Sequence, residues 1–326
     1  MKKTDRSDQE ICGRVIEVRK NGFLIDHEGR EIAAKLKGSF FEESADRLPV
    51  VGDYVSFLPV PEGESIICSV CERKNLLQRL DTAKTGVMQY MAANVDYCFI
   101  VTALNADYSY NRIARYASVA LQGGATPVAV LTKSDLCADV ASVVREVGTI
   151  SDKLRVHAVS ALRGIGLDEL EEYFVPGTTI CLMGSSGAGK STLINAITGE
   201  EIMKTGEIRA SDSKGRHTTT HRQLIRLKNG VSVIDTPGMR EIAVAGAGEG
   251  VDDAFSDILE LAEQCRFGNC RHDTEPGCAV KAAVARGELS EDRLRLYRAL
   301  GKENADHQAR KKEISKLAKA YKKERR

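Results

Sequence analysis

The first part of the chain alternates short apolar segments with turn signals. Asn21-Gly22 and Glu28-Gly29 separate three of these segments, and a loop with Pro49 and Gly52 precedes two more. Such spacing is typical of antiparallel strands joined by tight turns. We therefore predict a small five-stranded β-barrel of the OB type. The predicted strands cover residues 14–19, 23–26, 31–35, 53–58 and 65–72.

Beyond Val95 the pattern changes to apolar segments that alternate with helical stretches. This alternation is typical of parallel strands that are covered by helices. We predict six strands, as suits a nucleotide-binding α/β sheet. They cover residues 96–102, 127–132, 155–159, 178–183, 223–227 and 231–235.

After Asp252 the pattern is helical, and a loop containing Cys, Gly and His interrupts it. We predict helices over residues 252–264, 278–286 and 291–303, followed by a charged helix to the end of the chain. The predicted fold class is a multidomain α/β protein. Its domains are an OB-type barrel (1–78), an α/β domain (79–245) and a small helical domain (246–326).

The composition is that of an ordinary globular protein. The 326 residues are 42% hydrophobic and 29% charged, enough for a substantial core without covalent staples. No apolar run approaches the roughly 20 residues that a membrane-spanning helix needs. The nine cysteines are mostly scattered, which argues against a secreted disulfide framework. We expect a cytoplasmic monomer with no membrane association.

The segment at residues 184–191 matches the P-loop pattern G-x-x-x-x-G-K-S, with an apolar strand before it and a helix after it. Glycines let backbone N–H groups converge on phosphate oxygens, and the helix N-terminus adds positive potential. Lys190 supplies a charge to the outer phosphates, and Ser191 is a predicted Mg²⁺ ligand. The alternative is a Gly-rich turn that binds nothing. The predicted phosphate-binding residues are Gly184, Ser185, Ser186, Gly187, Ala188, Gly189, Lys190, Ser191 and Thr192.

Two further loops are candidates for recognising the base, and both follow apolar strands, where ligands bind in open α/β sheets. The carboxylate of Asp135 only accepts hydrogen bonds, so it suits the two adjacent N–H donors of guanine, which adenine lacks. The stem of Lys133 can cover the base plane, and a backbone N–H at Ser160-Ala161 can meet the guanine carbonyl. The predicted base-binding residues are Thr132, Lys133, Ser134, Asp135, Ser160 and Ala161.

The segment Asp235-Thr236-Pro237-Gly238 closes the last predicted strand. It places the Asp235 carboxylate beside the Mg²⁺ and puts Gly238 where the backbone must approach the γ-phosphate. A lone D-x-P-G turn is a common surface feature. In combination with the P-loop and the base loops, it indicates a guanine-nucleotide site.

These motifs resemble those of Ras-type GTPases, but the base loop precedes the P-loop. Such a circular permutation keeps the same sheet, because each strand still points its carboxyl end at the ligand whichever connection is cut. With the barrel and the terminal Cys/His cluster, the whole chain resembles the ribosome small-subunit-dependent GTPase A family. This resemblance implies a circularly permuted P-loop GTPase domain and a GTP phosphohydrolase that assists late maturation of the small ribosomal subunit. It also implies that GTP favours binding to the subunit and hydrolysis favours release.

Two positions depart from the wider GTPase pattern. Thr132 stands where an Asn normally ties the base loop to the P-loop, so we expect looser nucleotide binding with the guanine preference retained. Met239 stands where a Gln orients the attacking water, and Met cannot do this. The resemblance gives the water-positioning role to His217 and a Mg²⁺-ligand role to Thr219, although a His in a polar loop is often merely exposed. Which of three consecutive threonines binds Mg²⁺ stays open.

The two switch segments are also expected to control turnover. Because His217 lies on a loop, we expect slow unassisted hydrolysis that a partner accelerates. The second switch, at Asp235-Thr236-Pro237-Gly238, runs almost directly into the helical domain. We therefore hypothesise that contacts to the γ-phosphate move that domain.

Four residues supply three thiolates and one imidazole within fourteen positions: Cys265, Cys270, His272 and Cys278. This set suits one tetrahedral Zn²⁺ with no open position, which indicates a structural site. The alternative is four unrelated residues in their reduced state.

The net charge is +1, but Lys and Arg outnumber Asp and Glu by ten to four within residues 301–326. A basic helix suits RNA phosphates, or it is simply a solvated charged helix. The barrel offers a second RNA-binding surface. The expected partners are GTP, GDP and the small ribosomal subunit with its rRNA. Rival hypotheses are an RNA-binding module in which GTP is a fixed structural ligand, and a P-loop kinase or ATPase.

Overall fold

The computed structural model describes residues 10–38, 40, 47–80, 88–203, 222–236 and 255–302, apart from 292 and 296. His217, Thr219, Gly238 and the segment predicted to form a charged C-terminal helix lie outside these residues, so the predictions for them stay predictions. None of the helices in the described ranges combines the length and the apolar character needed to cross a membrane.

Five strands close into a barrel at the start of the chain, which confirms the predicted architecture. They are β1 (Ile11–Arg19), β2 (Gly22–His27), β3 (Arg30–Leu36), β4 (Tyr54–Leu58) and β5 (Ser65–Val70). The order is β1-β2-β3-β5-β4, and pairing of β4 with β1 closes the ring. Val15, Ile25 and Phe57 have no exposed surface, so alternate positions fill the interior of the barrel.

A β-hairpin that the pattern did not predict connects the barrel to the rest of the chain. Its strands are β6 (Leu76–Leu80) and β7 (Met88–Ala93). Both are rich in Leu, Met, Gln and Ala, which favour helix over strand, so the sequence carries no strand signal here. Tertiary packing decides the outcome, since Leu77, Met91 and Ala92 are fully buried.

The predicted α/β sheet is present with all six strands, each within one residue of its predicted bounds. They are β8 (Tyr97–Ala103), β9 (Thr126–Thr132), β10 (Arg155–Ala158), β11 (Thr179–Met183), β12 (Gln223–Arg226) and β13 (Ser232–Asp235). In the order β10-β9-β8-β11-β13-β12 the first five are parallel, and β12 is antiparallel. The carboxyl ends of the five parallel strands therefore meet at one edge.

Helices cover both faces of this sheet. They are α1 (Tyr110–Gln122), α2 (Val140–Gly148), α3 (Lys190–Thr198) and a short 3-10 helix (Asp168–Tyr173). Along β8, Cys98 and Ile100 pack in the core with α1, whereas Phe99 and Val101 pack in the core with α3. The continuous apolar run of β8 thus reflects burial on both faces.

Backbone pairing at the sheet edge and one arginine that reaches two inner strands join the barrel to the α/β sheet. Glu17 in β1 pairs antiparallel with Gln223 in β12. The guanidinium of Arg14 donates hydrogen bonds to the hydroxyls of Thr179 (2.8 Å) and Ser232 (3.2 Å). Burial lowers the pKa of Arg14. The barrel therefore contacts β12, the strand that follows the predicted first switch.

The C-terminal part is helical, as predicted, with α4 (Ser256–Ala262), α5 (Ala279–Ala285) and helical residues between 291 and 302.

Arg293 connects the C-terminal part to the α/β domain. Its guanidinium makes two 2.7 Å contacts to the carboxylate of Asp257 and lies 4.8 Å from the ring centre of Phe255. It also donates to the carbonyl of Ile150 (3.2 Å) and to the hydroxyl of Tyr110 (3.3 Å). One buried cation thus holds the two parts together.

Candidate functional site

The glycine-rich segment at residues 184–191 forms the turn between β11 and α3. Gly184, Gly187 and Gly189 have φ values of 148°, 82° and 92°, a region that favours glycine. A Cβ on Gly184 would lie 2.2 Å from the carbonyl oxygen of Val101, so no side chain fits there. The first N–H groups of α3 have no partner within their own helix, and the turn presents them as an anion-binding loop requires.

The ammonium of Lys190 lies inside this loop. Its Nζ donates to the carbonyl oxygens of Gly184 (2.8 Å) and Ser185 (2.9 Å). Burial lowers the pKa of Lys190, and the nearby carboxylate of Asp235 opposes that shift. An anion at the loop would favour the charged ammonium further. Lys190 can therefore exchange two carbonyl contacts for phosphate oxygens.

Asp235 ends β13 close to Lys190. Among the described residues its Oδ1 is the one buried side-chain polar atom without a hydrogen-bond partner. Burial raises the pKa of Asp235, while Lys190 and the backbone N–H of Thr236 oppose the shift. An unpaired buried carboxylate oxygen is costly, and a hard cation with oxygen ligands would supply the missing partner. Asp235 thus fits Mg²⁺, and Ser191 at the start of α3 stays the predicted second ligand.

The base loop and the P-loop are bonded to each other directly. The buried hydroxyl of Thr132 donates to the carbonyl of Ala188 at 2.6 Å. Lys133, held at φ 57°, donates from Nζ to the carbonyl of Gly187 at 3.1 Å. The tie that an Asn would make is therefore retained by a Thr hydroxyl. Looser nucleotide binding at this position stays a prediction.

The two candidate base loops also meet. The hydroxyl of Ser160 donates to Oδ1 of Asp135 at 2.5 Å, and the backbone N–H of Ser134 donates to the carbonyl of Val159 at 3.1 Å. Ala161 follows Ser160 directly and is partly exposed. The carboxylate of Asp135 keeps further lone pairs for two donors on a ligand.

Sequence reasoning missed Asp107, which lies in the loop after β8. Its carboxylate accepts a hydrogen bond from the hydroxyl of Ser185 in the P-loop. It also accepts one from Nη1 of Arg112 in α1, at 3.0 Å. The position of Asp107 after a parallel strand of the sheet is the signal that could have identified it. Asp107 connects the P-loop to the start of α1.

The structure brings most of the predicted site residues to one edge of the sheet. They belong to four segments, residues 132–135, 160–161, 184–192 and 235, which follow or end β9, β10, β11 and β13. Ser186 and Thr192 are exposed. His217, Thr219 and Gly238 fall outside the described residues.

The predicted metal ligands form a compact cluster between α4 and α5. Sγ of Cys265 lies 3.9 Å from Sγ of Cys278 and 3.6 Å from Nδ1 of His272, and Cys278 lies 3.4 Å from that nitrogen. All four ligand atoms, including Sγ of Cys270, lie within 4.8 Å of one another. Tetrahedral Zn²⁺ with ordinary bond lengths has S···S edges of about 3.8 Å and S···N edges of about 3.5 Å. Burial lowers the pKa of His272, which keeps its imidazole neutral for ligation. The cluster fits Zn²⁺.

The motif order, the parallel sheet and the glycine turn define a circularly permuted P-loop GTPase domain that carries an N-terminal barrel and a C-terminal Cys/His cluster. The RsgA GTPase family model matches residues 70–245. The chain belongs to the RsgA GTPase family, and this confirms the resemblance seen in the sequence.

Curated relatives align with this chain over most of their length. The small ribosomal subunit biogenesis GTPase RsgA 2 of Listeria monocytogenes is 44% identical over 296 residues, which cover 90% of this chain and 84% of the relative. The small ribosomal subunit biogenesis GTPase RsgA of Methanosarcina acetivorans is 41% identical over 305 residues, which cover 93% of this chain and 82% of the relative.

Solved structures show the same architecture. The crystal structure of YjeQ from Thermotoga maritima matches with a TM-score of 0.63 at 30% identity, over 89% of this chain and 96% of that one. The crystal structure of YloQ, described as a circularly permuted GTPase, matches with a TM-score of 0.61 at 24% identity, over 94% and 98%. The second match supports the fold alone.

Proposed function

We propose that this protein binds Mg²⁺ and GTP at the sheet edge, hydrolyses GTP to GDP and phosphate, and thereby assists late maturation of the small ribosomal subunit. The observation that carries the nucleotide site is the set of hydrogen bonds that joins its loops. Thr132 bonds Ala188, Lys133 bonds Gly187 and Ser160 bonds Asp135. These contacts make one preorganised surface from the base loops and the phosphate loop.

The phosphate end of the site uses charge and backbone donors. The N–H groups at the start of α3 would donate hydrogen bonds to phosphate oxygens. Lys190 would exchange its contacts with the carbonyls of Gly184 and Ser185 for contacts with the outer phosphates. When bound, Mg²⁺ would neutralise charge that develops on the phosphate oxygens. Asp235 and Ser191 are the described residues that would hold it, and Thr219 is the further ligand that the family resemblance implies.

Guanine selection rests on Asp135. Its carboxylate would accept from the ring N–H and the exocyclic amine of guanine, and adenine has no such donor pair. The hydroxyl of Ser160 fixes one oxygen of this carboxylate, and the adjacent Ala161 N–H would meet the guanine carbonyl. The stem of Lys133 would cover the base.

Hydrolysis needs a residue that orients the attacking water, and Met239 cannot do this. We assign that role to His217, which lies between the P-loop helix and β12 in the sequence. A partner that fixes the position of His217 would accelerate hydrolysis, so we expect slow turnover without it. Contacts of Gly238 with the γ-phosphate would link this event to the C-terminal domain.

The ribosomal role rests on the relatives, whose names describe small ribosomal subunit biogenesis. The alignments cover more than four fifths of the length of these relatives. The barrel and the basic residues at 301–326 are the proposed rRNA contacts. Such a protein works in the cytoplasm, where subunits are assembled.

We assign one structural Zn²⁺ to Cys265, Cys270, His272 and Cys278. When bound, the ion supplies folding free energy by cross-linking the loop between α4 and α5. All four positions are protein ligands, so the site leaves no place for a reacting water. This argues for a structural metal.

Competition and product analysis separate this proposal from its rivals. GTP should displace a fluorescent GDP analogue, whereas ATP should not, because ATP lacks the donors for Asp135. Prolonged incubation should yield free GDP and phosphate, and His217→Ala should bind GTP normally while forming less GDP. Bound GTP that never turns over would instead support a fixed structural ligand. Displacement by ATP would support a kinase or ATPase.

A further inference from the structure

One metal-ligand candidate has an unusual backbone. His272 has φ 58°, and only four non-glycine residues in the described part of the chain have a positive φ. The left-handed region is uncommon for residues other than glycine, although His adopts it more often than most, and strain at such a position persists where surrounding contacts enforce it. Glycine would relieve the strain but would remove the ligand. The contacts of the neighbouring backbone show which group holds this conformation.

The carboxylate of Glu275 accepts backbone hydrogen bonds on both sides of His272. Its Oε1 accepts the backbone N–H of Arg271 at 3.0 Å, and its Oε2 accepts the backbone N–H of Asp273 at 2.9 Å. These N–H groups belong to the residues directly before and after His272. Each carboxylate oxygen therefore fixes one flanking residue, and together they define the turn on which the imidazole stands.

The ionised form of Glu275 suits this arrangement. Hydrogen bonds from the backbone N–H groups of Asp273, Glu275 itself and Arg271 lower the pKa of Glu275 to about 2. Glu275 stays charged at neutral pH, and a carboxylate is the one side-chain group that can accept at both oxygens without presenting a donor. A glutamine would turn an N–H₂ group toward one of the two backbone donors.

We propose that Glu275 is the positioning residue of the metal-binding loop, holding His272 in the left-handed conformation so that Nδ1 faces the thiolates of Cys265 and Cys278. The inference rests on the proposed zinc site, but it concerns a residue that touches neither the ion nor the nucleotide. Outer groups that orient metal ligands usually hydrogen-bond the ligand side chain itself, whereas Glu275 acts through the backbone.

The test uses the full chain and two charge-matched variants. Glu275→Gln removes one acceptor from the loop, and Glu288→Gln removes the same charge from a residue whose carboxylate pairs with Arg286 (2.7 Å) in the same domain. Zn²⁺ affinity is measured by competition with a chromophoric chelator. Glu275→Gln should bind Zn²⁺ roughly tenfold to a hundredfold more weakly than the parent, the range found for groups that orient metal ligands. Glu288→Gln should match the parent.

Co²⁺ substitution supplies a readout that a general loss of stability would not change. At saturating Co²⁺ the parent should show the visible spectrum of a tetrahedral three-thiolate, one-nitrogen site. Glu275→Gln should show a shifted ligand-field band, because His272 is displaced, and Glu288→Gln should not. Glu275→Asp is the second variant, for use if Glu275→Gln does not fold. Its side chain keeps the charge but is too short to reach both N–H groups, so its Zn²⁺ affinity should also be lower than that of the parent.

The outcomes distinguish the two proposals. A parent that binds neither Zn²⁺ nor Co²⁺ at the cluster would overturn the zinc site and the role of Glu275 with it. In the other case the parent binds one Zn²⁺, or one Co²⁺, at the cluster. If Glu275→Gln and Glu275→Asp then equal Glu288→Gln in Zn²⁺ affinity and in Co²⁺ spectrum, the role of Glu275 alone is overturned.

Discussion

The hydroxyl of Thr132 donates a 2.6 Å hydrogen bond to the backbone carbonyl of Ala188. Thr132 ends β9 and Ala188 lies in the P-loop, so this bond joins the loop assigned to the base with the loop assigned to the phosphates. Both residues are buried. The sequence marked Thr132 as a departure from the usual Asn, and the structure shows that the shorter side chain still spans the distance.

Thr132→Val should therefore weaken binding of GDP and GTP. It removes the donor and leaves the Ala188 carbonyl without this partner, a loss of about 1–2 kcal/mol, or roughly fivefold to thirtyfold in affinity. Thr132→Ser keeps the hydroxyl and should bind nearly as the parent does. Titration of each protein with a fluorescent GDP analogue measures the difference. Equal affinities for the Val and Ser variants would show that the bond does not organise the site.

Asp135→Asn should change base selection rather than abolish phosphate binding. The amide presents a donor where guanine also presents donors, so GTP affinity should fall by at least about tenfold. Xanthine nucleotides carry a carbonyl at the position of guanine's amine and should gain relative to GTP. Ser160→Ala, which removes the hydroxyl that donates to Asp135 and accepts from the backbone N–H of Arg163 (3.3 Å), should retain the guanine preference. Full GTP affinity in Asp135→Asn would contradict the assignment.

Arg293→Ala should loosen the C-terminal helices from the α/β domain. Arg293 is 5% exposed, while the side chain of Asp257 is 44% exposed and would be partly solvated after the change. We therefore expect a loss of about 2 kcal/mol, less than for a fully buried pair. Arg295→Ala should have little effect, because Arg295 is exposed and its contact to Glu291 is 3.5 Å long.

Hydrogen exchange measures this effect. In Arg293→Ala, amides of α4 and of residues 297–302 should exchange faster, while those of the barrel should not change. Unaltered protection in α4 would show that Arg293 does not hold the two parts together.

Asp235→Asn should stabilise the nucleotide-free protein while weakening Mg²⁺-dependent GTP binding. Burial raises the pKa of Asp235, so the folded state favours the protonated carboxyl. The parent therefore loses stability as the pH rises from about 4, the ordinary pKa of aspartate in an unfolded chain, through the raised pKa of Asp235 in the folded protein. Asn has no such loss. The difference in melting temperature between variant and parent should be smallest in acid and grow toward neutral pH.

The control for this comparison is Asp26→Asn, since Asp26 lies in the barrel and pairs at 3.5 Å with the exposed Arg226. A melting-temperature difference for Asp235→Asn that stays constant with pH, or GTP binding that keeps its full Mg²⁺ dependence, would contradict the assignment of Asp235.

Strand positions and motif loops could be predicted because each depends on local patterns. Apolar alternation located the barrel and the sheet, and the glycine spacing located the P-loop. The hairpin formed by β6 and β7 could not be found, because Leu77 and Met91 become strand residues only through burial. Glu275 is invisible in the pattern, since its importance lies in which backbone N–H groups the fold brings to its carboxylate. Asp107 carries a weak signal, its position after a parallel strand, but its contact with Ser185 depends on the fold.

The most direct test of the account is GTP hydrolysis by the purified protein, alone and with purified small ribosomal subunits. Lys190→Ala supplies the background, and purified large subunits supply a control for nonspecific stimulation by rRNA. We predict slow turnover alone and a clear increase with small subunits, which large subunits and Lys190→Ala do not reproduce. Rates that remain at the Lys190→Ala background both with and without small subunits would contradict the proposed function.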